Sequence, residues 1–380
     1  MTPVASPSAT RGHRAPPTSG LADLLQVAGL TGRGGAAFST ATKLRSAVAH
    51  GAPLIVNACD GELGAAKDAW VVEHHLDELR RGADLVSQRG TTWAAHRGSL
   101  TAQRLADNGL TVLEVPDRYV SSEESALVSL AHGGLARPLS KATPISFGSN
   151  DARGRKLRPT LVLNAETVWR IAQIDQAGVD WFRSYGTPDE PGPRLVAVSG
   201  GVRQPGVVET AAGVSLGDLI AAAGGVSGRP LGVGLSGLGG GWLTVDEARS
   251  AVWSRAGLAA YGLTPGPGIV HVLDDAACPL VHVADTVAYA AGESAGQCGP
   301  CMFGVPAVAD DLLLLADGSA DPAAHARLRG RLGLLPGRGA CRFPDGVAGY
   351  AASALRAFAP EVRAHLQGRC TFEGRTRRVH

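Results

Sequence analysis

Three of the six cysteines have the spacing of ligands to a metal centre. Cys298 and Cys301 stand at CxxC spacing in ESAGQCGPCMFG, and Cys341 follows forty residues later in GACRFPDG. Such spacing is typical of iron–sulfur or zinc ligation, because a short loop brings two sulfur atoms to one metal. Three ligands are one fewer than such a site normally has. Buried free thiols are predicted for the other three cysteines, Cys59, Cys278 and Cys370.

A glycine-rich segment near the N-terminus has the composition of a phosphate-binding loop. GRGGAAFSTATKL (32–44) places Gly32, Gly34 and Gly35 before a helix start made of small residues. Glycines let backbone N–H groups approach a phosphate, and the positive end of the following helix adds to the attraction. Glycine-rich turns also occur where nothing binds, so this motif alone leaves both interpretations open.

Two further segments place polar side chains directly after a predicted strand. They are VNACDGELGAAKDA (56–69) and VLNAETV (162–168). Their polar residues are Asn57, Asp60 and Glu62 in the first segment and Asn164, Glu166 and Thr167 in the second. The carboxyl ends of parallel strands are where α/β folds bind ligands. A solvated acidic turn is the alternative for the first segment.

RYVSSEESALVSL (118–130) carries the signature of a helix start. Ser121 and Ser122 are placed to cap a helix whose first turn carries Glu123 and Glu124. Carboxylates there complement the helix dipole, so capping alone explains the pattern.

Lys141, in LSKATP (139–144), is a further candidate for contact with a phosphate. A surface lysine is the alternative interpretation.

Residues 21–187 alternate short apolar runs with helical stretches. PLIVNA (53–58) and PTLVLNA (159–165) have the composition of strands, and DAWVVEHHLDELRRGADLV (68–86) that of helix. This alternation predicts an α/β domain with a largely parallel sheet. The three prolines of PDEPGPR (188–194) predict a linker after it.

Residues 194–275 have the pattern of a small β-grasp-like module. Pro205 and Gly206 suit the central positions of a type II turn between two β-branched runs, so a hairpin is predicted. Ser215 is placed to cap the helix that follows. The glycine-rich stretch PLGVGLSGLGGGWL (230–243) is either a loop against a partner or a strained crossing.

Alanine and leucine periodicity dominates residues 279–370 and predicts a helical bundle. Prolines fall where its helices would start or stop, at Pro306, Pro322, Pro336 and Pro360.

The overall composition limits the classes of function. A formal net charge of +2 gives no electrostatic footprint for nucleic acid. No apolar run reaches the roughly 18 residues that a membrane span needs. Residues 1–20 are rich in Pro, Ser and Thr and lack an apolar core, which predicts a disordered tail rather than a signal peptide, and therefore a cytoplasmic protein.

In order along the chain, these segments resemble the NADH-binding flavoprotein component of respiratory complex I, also called the 51 kDa or F subunit. The same family includes subunits of NAD-linked hydrogenases and formate dehydrogenases. Its marks are GRGGAGF, NADExEPG, YxxGEETAL, NNVET and CGxCxPC with a remote cysteine. Here they correspond to GRGGAAF, NACDGELG, YVSSEESAL, LNAET and AGQCGPC. Five motifs in one order, over about residues 21–366, are far more specific than any one of them.

The resemblance implies an FMN-binding α/β domain with a parallel sheet, a ubiquitin-like β-grasp (SLBB) domain and a C-terminal helical bundle that holds a [4Fe–4S] cluster. The implied domains span residues 21–187, 194–275 and 279–370. The resemblance implies an FMN loop made of Gly32, Arg33, Gly34, Gly35 and Lys43, and an aromatic ring, Phe38, that stacks on NADH. It places Asn57, Asp60 and Glu62 beside flavin and nicotinamide, and Tyr119, Glu123 and Glu124 on the next strip of the site. Lys141 would contact a phosphate, and Asn164 and Thr167 would lie at the flavin edge. Glu62 and Glu123 are the implied catalytic residues, which would orient nicotinamide and ribose.

The chain departs from the family pattern at several of these positions. The substitutions are Cys59 for Asp, Leu63 for Pro, Trp70 for Arg, Ser121-Ser122 for Cys-Gly and Leu163 for Asn. Ala295 stands at the first cluster-ligand position, so Cys298, Cys301 and Cys341 would hold a [4Fe–4S] or [3Fe–4S] cluster with three thiolates. The site could also be empty, or hold zinc.

These observations predict an NADH dehydrogenase-like enzyme. Electrons would pass from NADH through FMN to an iron–sulfur centre, and then to a ferredoxin-like or other electron-accepting subunit. The competing hypothesis is a degenerate relative that keeps the fold as a binding or scaffold subunit.

Overall fold

Four parallel strands form the sheet of the N-terminal domain in the computed structural model, which describes residues 18–87, 89–140, 145–150 and 154–372. The strands of this domain are β1 (Leu54–Asn57), β2 (Thr91–His96), β3 (Val112–Val115), the short pair β4 (Ser149–Asn150) and β5 (Lys156–Leu157), and β6 (Leu161–Asn164). The sheet order is β3-β2-β1-β6, and β4 pairs with β5 separately. Asn57 at the end of β1 pairs with Asn164 at the end of β6, which confirms that the two polar strand ends adjoin.

Eight helices belong to this domain in the described ranges, and they confirm the α/β class. They are α1 (Thr18–Ala28), α2 (Thr40–His50), α3 (Lys67–His74), α4 (Leu76–Val86), α5 (Leu100–Asp107), α6 (Glu124–Ala131), α7 (Ala165–Ala177) and α8 (Val179–Arg183). Helix α7 follows β6 directly and is buried over its first ten residues. It therefore carries the strand-end residues of β6 into the centre of the domain.

The start of the chain is only partly described. Residues 1–17 of the predicted tail lie outside the described residues, and α1 already begins at Thr18. None of the helices in the described ranges is long and apolar enough to cross a membrane.

A five-stranded mixed sheet forms the second domain, hereafter the β-grasp domain. Its elements are β7 (Pro193–Gly200), β8 (Gly206–Ala211), β9 (Val214–Ser215), α9 (Leu216–Ala222), β10 (Pro230–Leu235), β11 (Gly241–Thr244), α10 (Val245–Ser250), β12 (Val252–Trp253), α11 (Arg255–Ala259) and β13 (Ile269–Asp274). The order is β11-β10-β13-β7-β8, with β13 parallel to β7. The predicted hairpin is confirmed as the β7–β8 pair, and the Ser215 side chain caps α9 by accepting from the Asp218 N–H.

The glycine-rich stretch 230–243 is mostly strand, so neither interpretation offered for it describes it as a whole. Strands β10 and β11 pair antiparallel around a short 3₁₀ turn, Gly237–Gly239. A Cβ atom on Gly237, at φ +60°, would lie 2.4 Å from the Glu62 carboxylate. Glycine is required there because the turn wraps a carboxylate of the first domain.

Five α-helices form the C-terminal domain in the described ranges. They are α12 (Pro279–Glu293), α13 (Val305–Ala316), α14 (Pro322–Leu334), α15 (Phe343–Ala357) and α16 (Ala359–His365), with a π-helical turn, Pro300–Gly304, before α13. The predicted proline positions are confirmed: Pro322 opens α14, and Pro306 and Pro360 are second in α13 and α16. One core joins these helices to Leu238 and Trp242 of the β-grasp domain, so the two domains pack together.

Candidate functional site

A cavity of about 970 Å³ lies where the three domains meet. The glycine-rich loop after α1 and the ends of β1 and β6 form one side, and the segment 119–124 forms another. The β-grasp domain contributes Gly239 and Gly266, and the helical domain contributes a loop and helix start between residues 337 and 346. This volume suits an organic cofactor.

Most of the predicted site residues line this one cavity. They are Gly32, Gly34, Gly35, Phe38, Lys43, Asn57, Asp60, Glu62, Tyr119, Glu123, Glu124, Asn164, Thr167 and Cys341. Lys141 lies outside the described residues. Cys298 and Cys301 are not in the cavity wall, but they lie near Cys341 within the helical domain.

Among the predicted cofactor-binding residues that the structure describes, Arg33 is the one outside the cavity wall. Its buried guanidinium donates to the carbonyl oxygens of Pro191 and Pro193, at 3.4 and 3.2 Å. Burial lowers the pKa of Arg33, and the nearby Arg194 lowers it further. The side chain ties the glycine-rich loop to the start of β7, so its position supports the loop rather than a ligand.

The glycine-rich loop is fixed against the start of α7. The Arg33 N–H donates to Thr167 Oγ1 at 2.9 Å. A Cβ atom on Gly34 would lie 2.3 Å from Asn164 Oδ1, and Gly35 has φ +100°. The loop backbone therefore lies directly against the strand-end residues, which leaves its peptide groups at the cavity wall. This cradle, which a side chain at position 34 would fill, fits a bound phosphate.

Glu62 links the α/β domain to the β-grasp domain. Its carboxylate accepts from the Tyr119 hydroxyl at 2.5 Å and from the N–H groups of Leu238 at 2.8 Å and Gly239 at 3.3 Å. Burial raises the pKa of Glu62, although these hydrogen bonds oppose the shift. The Tyr119 ring packs against Phe343 of the helical domain, with ring centroids 5.1 Å apart. Glu62 and Tyr119 therefore lie where all three domains converge.

A buried charge network that the sequence analysis missed lies under the cavity. Lys67 Nζ contacts Asp68 Oδ2 at 2.7 Å and Glu166 Oε2 at 3.2 Å. The carboxylates raise the pKa of Lys67 despite the opposing effect of burial. Lys67 and Asp68 line the cavity and stand at the end of the segment 56–69, where they had the pattern of an ordinary helix start.

Asp60 belongs to the same network. Its two oxygens accept from the backbone N–H groups of Asp68 at 3.1 Å and Ala69 at 2.7 Å, so it holds the first turn of α3. Burial, with the neighbouring Asp68 carboxylate, raises the pKa of Asp60 to about 7. The alternative of a solvated acidic turn is wrong for this segment, since Asp60 and Glu62 hold backbone amides at the junction of the domains.

The helix start at residue 124 differs from the expectation. Ser121 and Ser122 lie in a 3₁₀ turn, Tyr119–Ser122, and do not cap α6. Glu123 is the cap, because its carboxylate accepts from the N–H groups of Ser125 at 2.8 Å and Ala126 at 3.2 Å. The Ser121 hydroxyl instead stabilises its own turn, because it donates to the carbonyl oxygens of Pro116 and Arg118.

Glu124 forms an ion pair across the cavity wall. Its Oε1 atom lies 2.7 Å from Lys43 Nζ, which also donates to the Val162 carbonyl at 3.4 Å. Both side chains line the cavity and are partly exposed to it. A ligand bound at this end of the cavity would therefore meet both a carboxylate and an ammonium group.

The three cysteines predicted as metal ligands come together at the edge of the cavity. Cys301 lies in the π-helical turn, a feature often found at functional sites, and its thiol is hydrogen-bonded with Cys298 and close to Cys341. Burial and the two neighbouring thiols raise the pKa of Cys301 to about 12. A cluster of three thiols suits a bound metal centre, which would favour their deprotonated forms.

The end of α12 and the loop that follows it, before these cysteines, contact the α/β domain. Glu293 Oε2 accepts from the Tyr119 N–H at 2.8 Å and pairs with Arg118 at 3.0 Å. Gln297 donates to the Pro138 carbonyl at 2.9 Å. The cysteine site is therefore held against the same segment, 118–124, that lines the cavity.

Comparison with known proteins gives matches over all three domains. The Nuo51 FMN-binding domain matches residues 25–173, the SLBB domain matches residues 195–231, and the NADH-ubiquinone oxidoreductase-F iron–sulfur binding region matches residues 282–365. The F subunit of the NADH-quinone oxidoreductase of Mycobacterium bovis is 27% identical, over 94% of this chain and 87% of that protein. An F 2 subunit of the same enzyme in Rhizobium meliloti is 28% identical, over 93% and 90%.

A solved structure agrees with these matches. The chain superposes on an NAD⁺-reducing [NiFe]-hydrogenase in its air-oxidized state with a TM-score of 0.78 and 29% identity. The match covers 92% of this chain but only 62% of the hydrogenase chain. Fold and site together define an electron-transfer subunit with FMN-binding and iron–sulfur-binding domains. In all three domains the chain is similar to the NADH-binding flavoprotein subunits of complex I and of related NAD-linked enzymes.

Proposed function

We propose that the chain oxidises NADH and delivers the electrons to an iron–sulfur centre. The observation that supports this most directly is the single cavity, which joins the glycine-rich loop, both polar strand ends and Cys341. When bound, FMN supplies a flavin that accepts a hydride from NADH and releases electrons to a one-electron acceptor. The chemistry is the cofactor's, so the side chains act by binding, orienting and excluding water.

The cavity wall divides into regions with different tasks. The loop from Gly32 to Gly35 would hold the FMN phosphate with backbone N–H groups, and Asn164 would contact the flavin. Asn57 and Asp60, which line the cavity at the end of β1, would also contact the flavin, and the exposed Phe38 would stack on NADH. We propose Lys141, which follows the cavity-lining residues Pro138 and Ser140 in the sequence, as a further phosphate contact.

The two proposed catalytic residues act through orientation. Glu62 is held by Tyr119 and two β-grasp amides in the cavity wall, where it would orient the nicotinamide. Glu123 holds the start of α6 at the cavity wall, where it would orient the ribose. Neither residue transfers a proton to the hydride.

Cys298, Cys301 and Cys341 would hold the cluster. The fourth iron would be bound by water, by Ser294 or by a partner residue, or would be absent in a [3Fe–4S] form. Since Cys341 lines the cofactor cavity, electrons have a short path out of it. A ferredoxin-like or other electron-accepting subunit in the cytoplasm takes them up.

The substitutions favour a second candidate function, that of a scaffold subunit without cofactors. Flavin and iron analysis of anaerobically purified chain separates the two. About one FMN and several iron atoms per chain support the enzyme, while neither flavin nor iron supports the scaffold.

Glu124→Gln relaxes the preference for NADH over NADPH. Glu124 would repel the 2′-phosphate of NADPH, and its removal leaves Lys43 without its carboxylate partner and able to attract that phosphate. The ratio of kcat/KM for NADPH to that for NADH rises at least about tenfold, which corresponds to about 1.4 kcal/mol. Glu73→Gln is the control, because Glu73 pairs with Arg104 on the surface of α3. An unchanged ratio in Glu124→Gln would show that this carboxylate faces another part of the dinucleotide.

Ala295→Cys supplies a fourth thiol to the cysteine site. The N–H of Ala295 already contacts the Cys301 thiol, so a side chain at 295 starts next to the other ligands. The variant binds a stable [4Fe–4S] cluster, seen as about four iron and four sulfide per chain and as an EPR signal after reduction. Ala291→Cys, on the preceding helix α12, is the matched control and gains none. If reconstituted Ala295→Cys also gains no iron, the proposed cluster site is wrong.

A further inference from the structure

Four potential metal ligands converge in the helical domain at a place that the proposed electron-transfer function does not use. Cys278, Glu361, His365 and Cys370 each offer one ligand atom, and these atoms all lie within 4.8 Å of one another. They come from three separate places: the residue before α12, the helix α16 and the segment after it. Buried free thiols are predicted from the sequence for both cysteines. Both are free, Cys278 is buried and Cys370 half-buried, and the fold makes them neighbours.

The distances between the ligand atoms match the edges of a tetrahedral site. His365 Nε2 lies 3.1 Å from Glu361 Oε1 and 3.5 Å from Cys278 Sγ, and Cys278 Sγ lies 3.9 Å from Glu361 Oε1. Around tetrahedral zinc, bonds of about 2.0–2.3 Å place neighbouring ligand atoms about 3.3–3.8 Å apart. The Cys278 thiol is also hydrogen-bonded with Cys370, which brings the second sulfur to the same point.

The side chains are oriented as metal ligands usually are. His365 Nδ1 lies 3.0 Å from the Leu315 carbonyl oxygen and donates to it, which fixes the ring with Nε2 toward the other three groups. The Glu361 carboxylate is fixed by Thr371, whose N–H donates at 3.0 Å and whose hydroxyl donates at 2.5 Å. Cys278 is the residue directly before the first turn of α12.

The site is closed and separate from the cysteines near the cofactor cavity. Cys278, Glu361 and His365 are all buried, and only Cys370 is partly exposed. Cys278 precedes α12 and Cys298 follows it, and a helix of 15 residues has its ends about 22 Å apart. Four protein ligands with no open position are the hallmark of a structural zinc site, whereas catalytic zinc keeps one position for water.

We propose that Cys278, Glu361, His365 and Cys370 bind one zinc ion, which clamps the start of α12 to α16 and to the segment that follows. Two thiolates, an imidazole and a carboxylate are the ligand types that zinc prefers. The clamp stabilises the helical domain, and it does not depend on NADH oxidation or on the iron–sulfur cluster.

The test uses the full-length chain, reduced and freed of metal with a chelator, and titrated with zinc sulfate alone. We expect wild type to bind one zinc per chain, measured by competition with a chromophoric chelator. Its midpoint of thermal unfolding rises when zinc is bound. Cobalt(II) in place of zinc gives visible bands of tetrahedral coordination and thiolate-to-cobalt charge transfer, a readout that needs no variant. His365→Gln and Cys370→Ser weaken zinc binding at least about 100-fold, and Thr371→Val, which releases Glu361, weakens it about tenfold.

The double variant Cys298→Ser, Cys301→Ser is the control, and it keeps the zinc because it alters only the other cysteine site. Three results would overturn the proposal: no zinc bound by the reduced wild type, unchanged affinity in both His365→Gln and Cys370→Ser, or loss of the zinc in the control. A Cys278–Cys370 disulfide found by mass spectrometry in anaerobically purified chain would overturn it as well.

Discussion

Lys67→Met destabilises the α/β domain by about 3–5 kcal/mol, the usual cost of removing one partner from a buried ion pair. Lys67 is 2% exposed, and its ammonium lies between the carboxylates of Asp68 and Glu166. Methionine fills a similar volume but removes the cation that lies between two buried carboxylates, and among the described residues only Glu166 keeps a second cation, Arg170, at 3.9 Å. Glu166 also accepts from the Leu195 N–H at 2.8 Å, so the loss reaches the first strand of the β-grasp domain.

Urea unfolding followed by tryptophan fluorescence measures this effect, because Trp93 and Trp169 are buried in the α/β domain. Lys156→Met is the matched control. Lys156 is exposed on β5, so this substitution changes the urea midpoint of unfolding little. Adding Glu166→Gln to Lys67→Met removes one of the stranded charges and recovers part of the loss. Equal midpoints for wild type and Lys67→Met would show that the ion network does not hold this domain together.

Gly34→Val strongly weakens FMN binding while the chain still folds. A Cβ atom at position 34 would lie 2.3 Å from Asn164 Oδ1, and valine adds two further carbons at the cavity wall. Asn164 stands at the junction of β6 and α7, so the loop has to move out of its cradle. FMN affinity falls at least about 100-fold, which corresponds to about 2.8 kcal/mol.

Flavin content and equilibrium titration with free FMN measure the loss. Gly206→Val is the control, because a Cβ atom on Gly206 meets no other atom within 4 Å. Circular dichroism confirms that Gly34→Val keeps its secondary structure. Wild-type FMN affinity in Gly34→Val would mean that the phosphate lies elsewhere.

Local signals in the sequence were sufficient for the elements of the fold and for part of the site. The alternation of strands and helices, the β7–β8 hairpin and the helix-opening proline Pro322 each depend on signals within a few residues, and the structure confirms them. The type II turn predicted at Pro205-Gly206 is wrong, because Gly206 is already the first residue of β8 and pairs with Val198. The polar residues after β1 and β6 could be placed together because parallel strands end at one edge.

Long-range contacts left no comparable signal. Glu62 is held by amides 176 and 177 residues away, and Cys278 meets His365 across 87 residues. Lys67 resembles an ordinary residue at a helix start until the fold buries it beside Glu166. The motif predicts that Arg33 is a cation of the cofactor-binding loop. In the structure its guanidinium instead donates to carbonyl groups that lie 158 and 160 residues later in the chain.

Anaerobic titration of the FMN-loaded chain with NADH tests the central claim most directly. The account predicts that the visible absorption of the flavin is bleached by about one equivalent of NADH per FMN, and that Glu62→Gln slows the bleaching without releasing FMN. A chain that takes up no FMN, or whose bound FMN keeps its full absorption in excess NADH, would contradict the assignment as an NADH-oxidising flavoprotein.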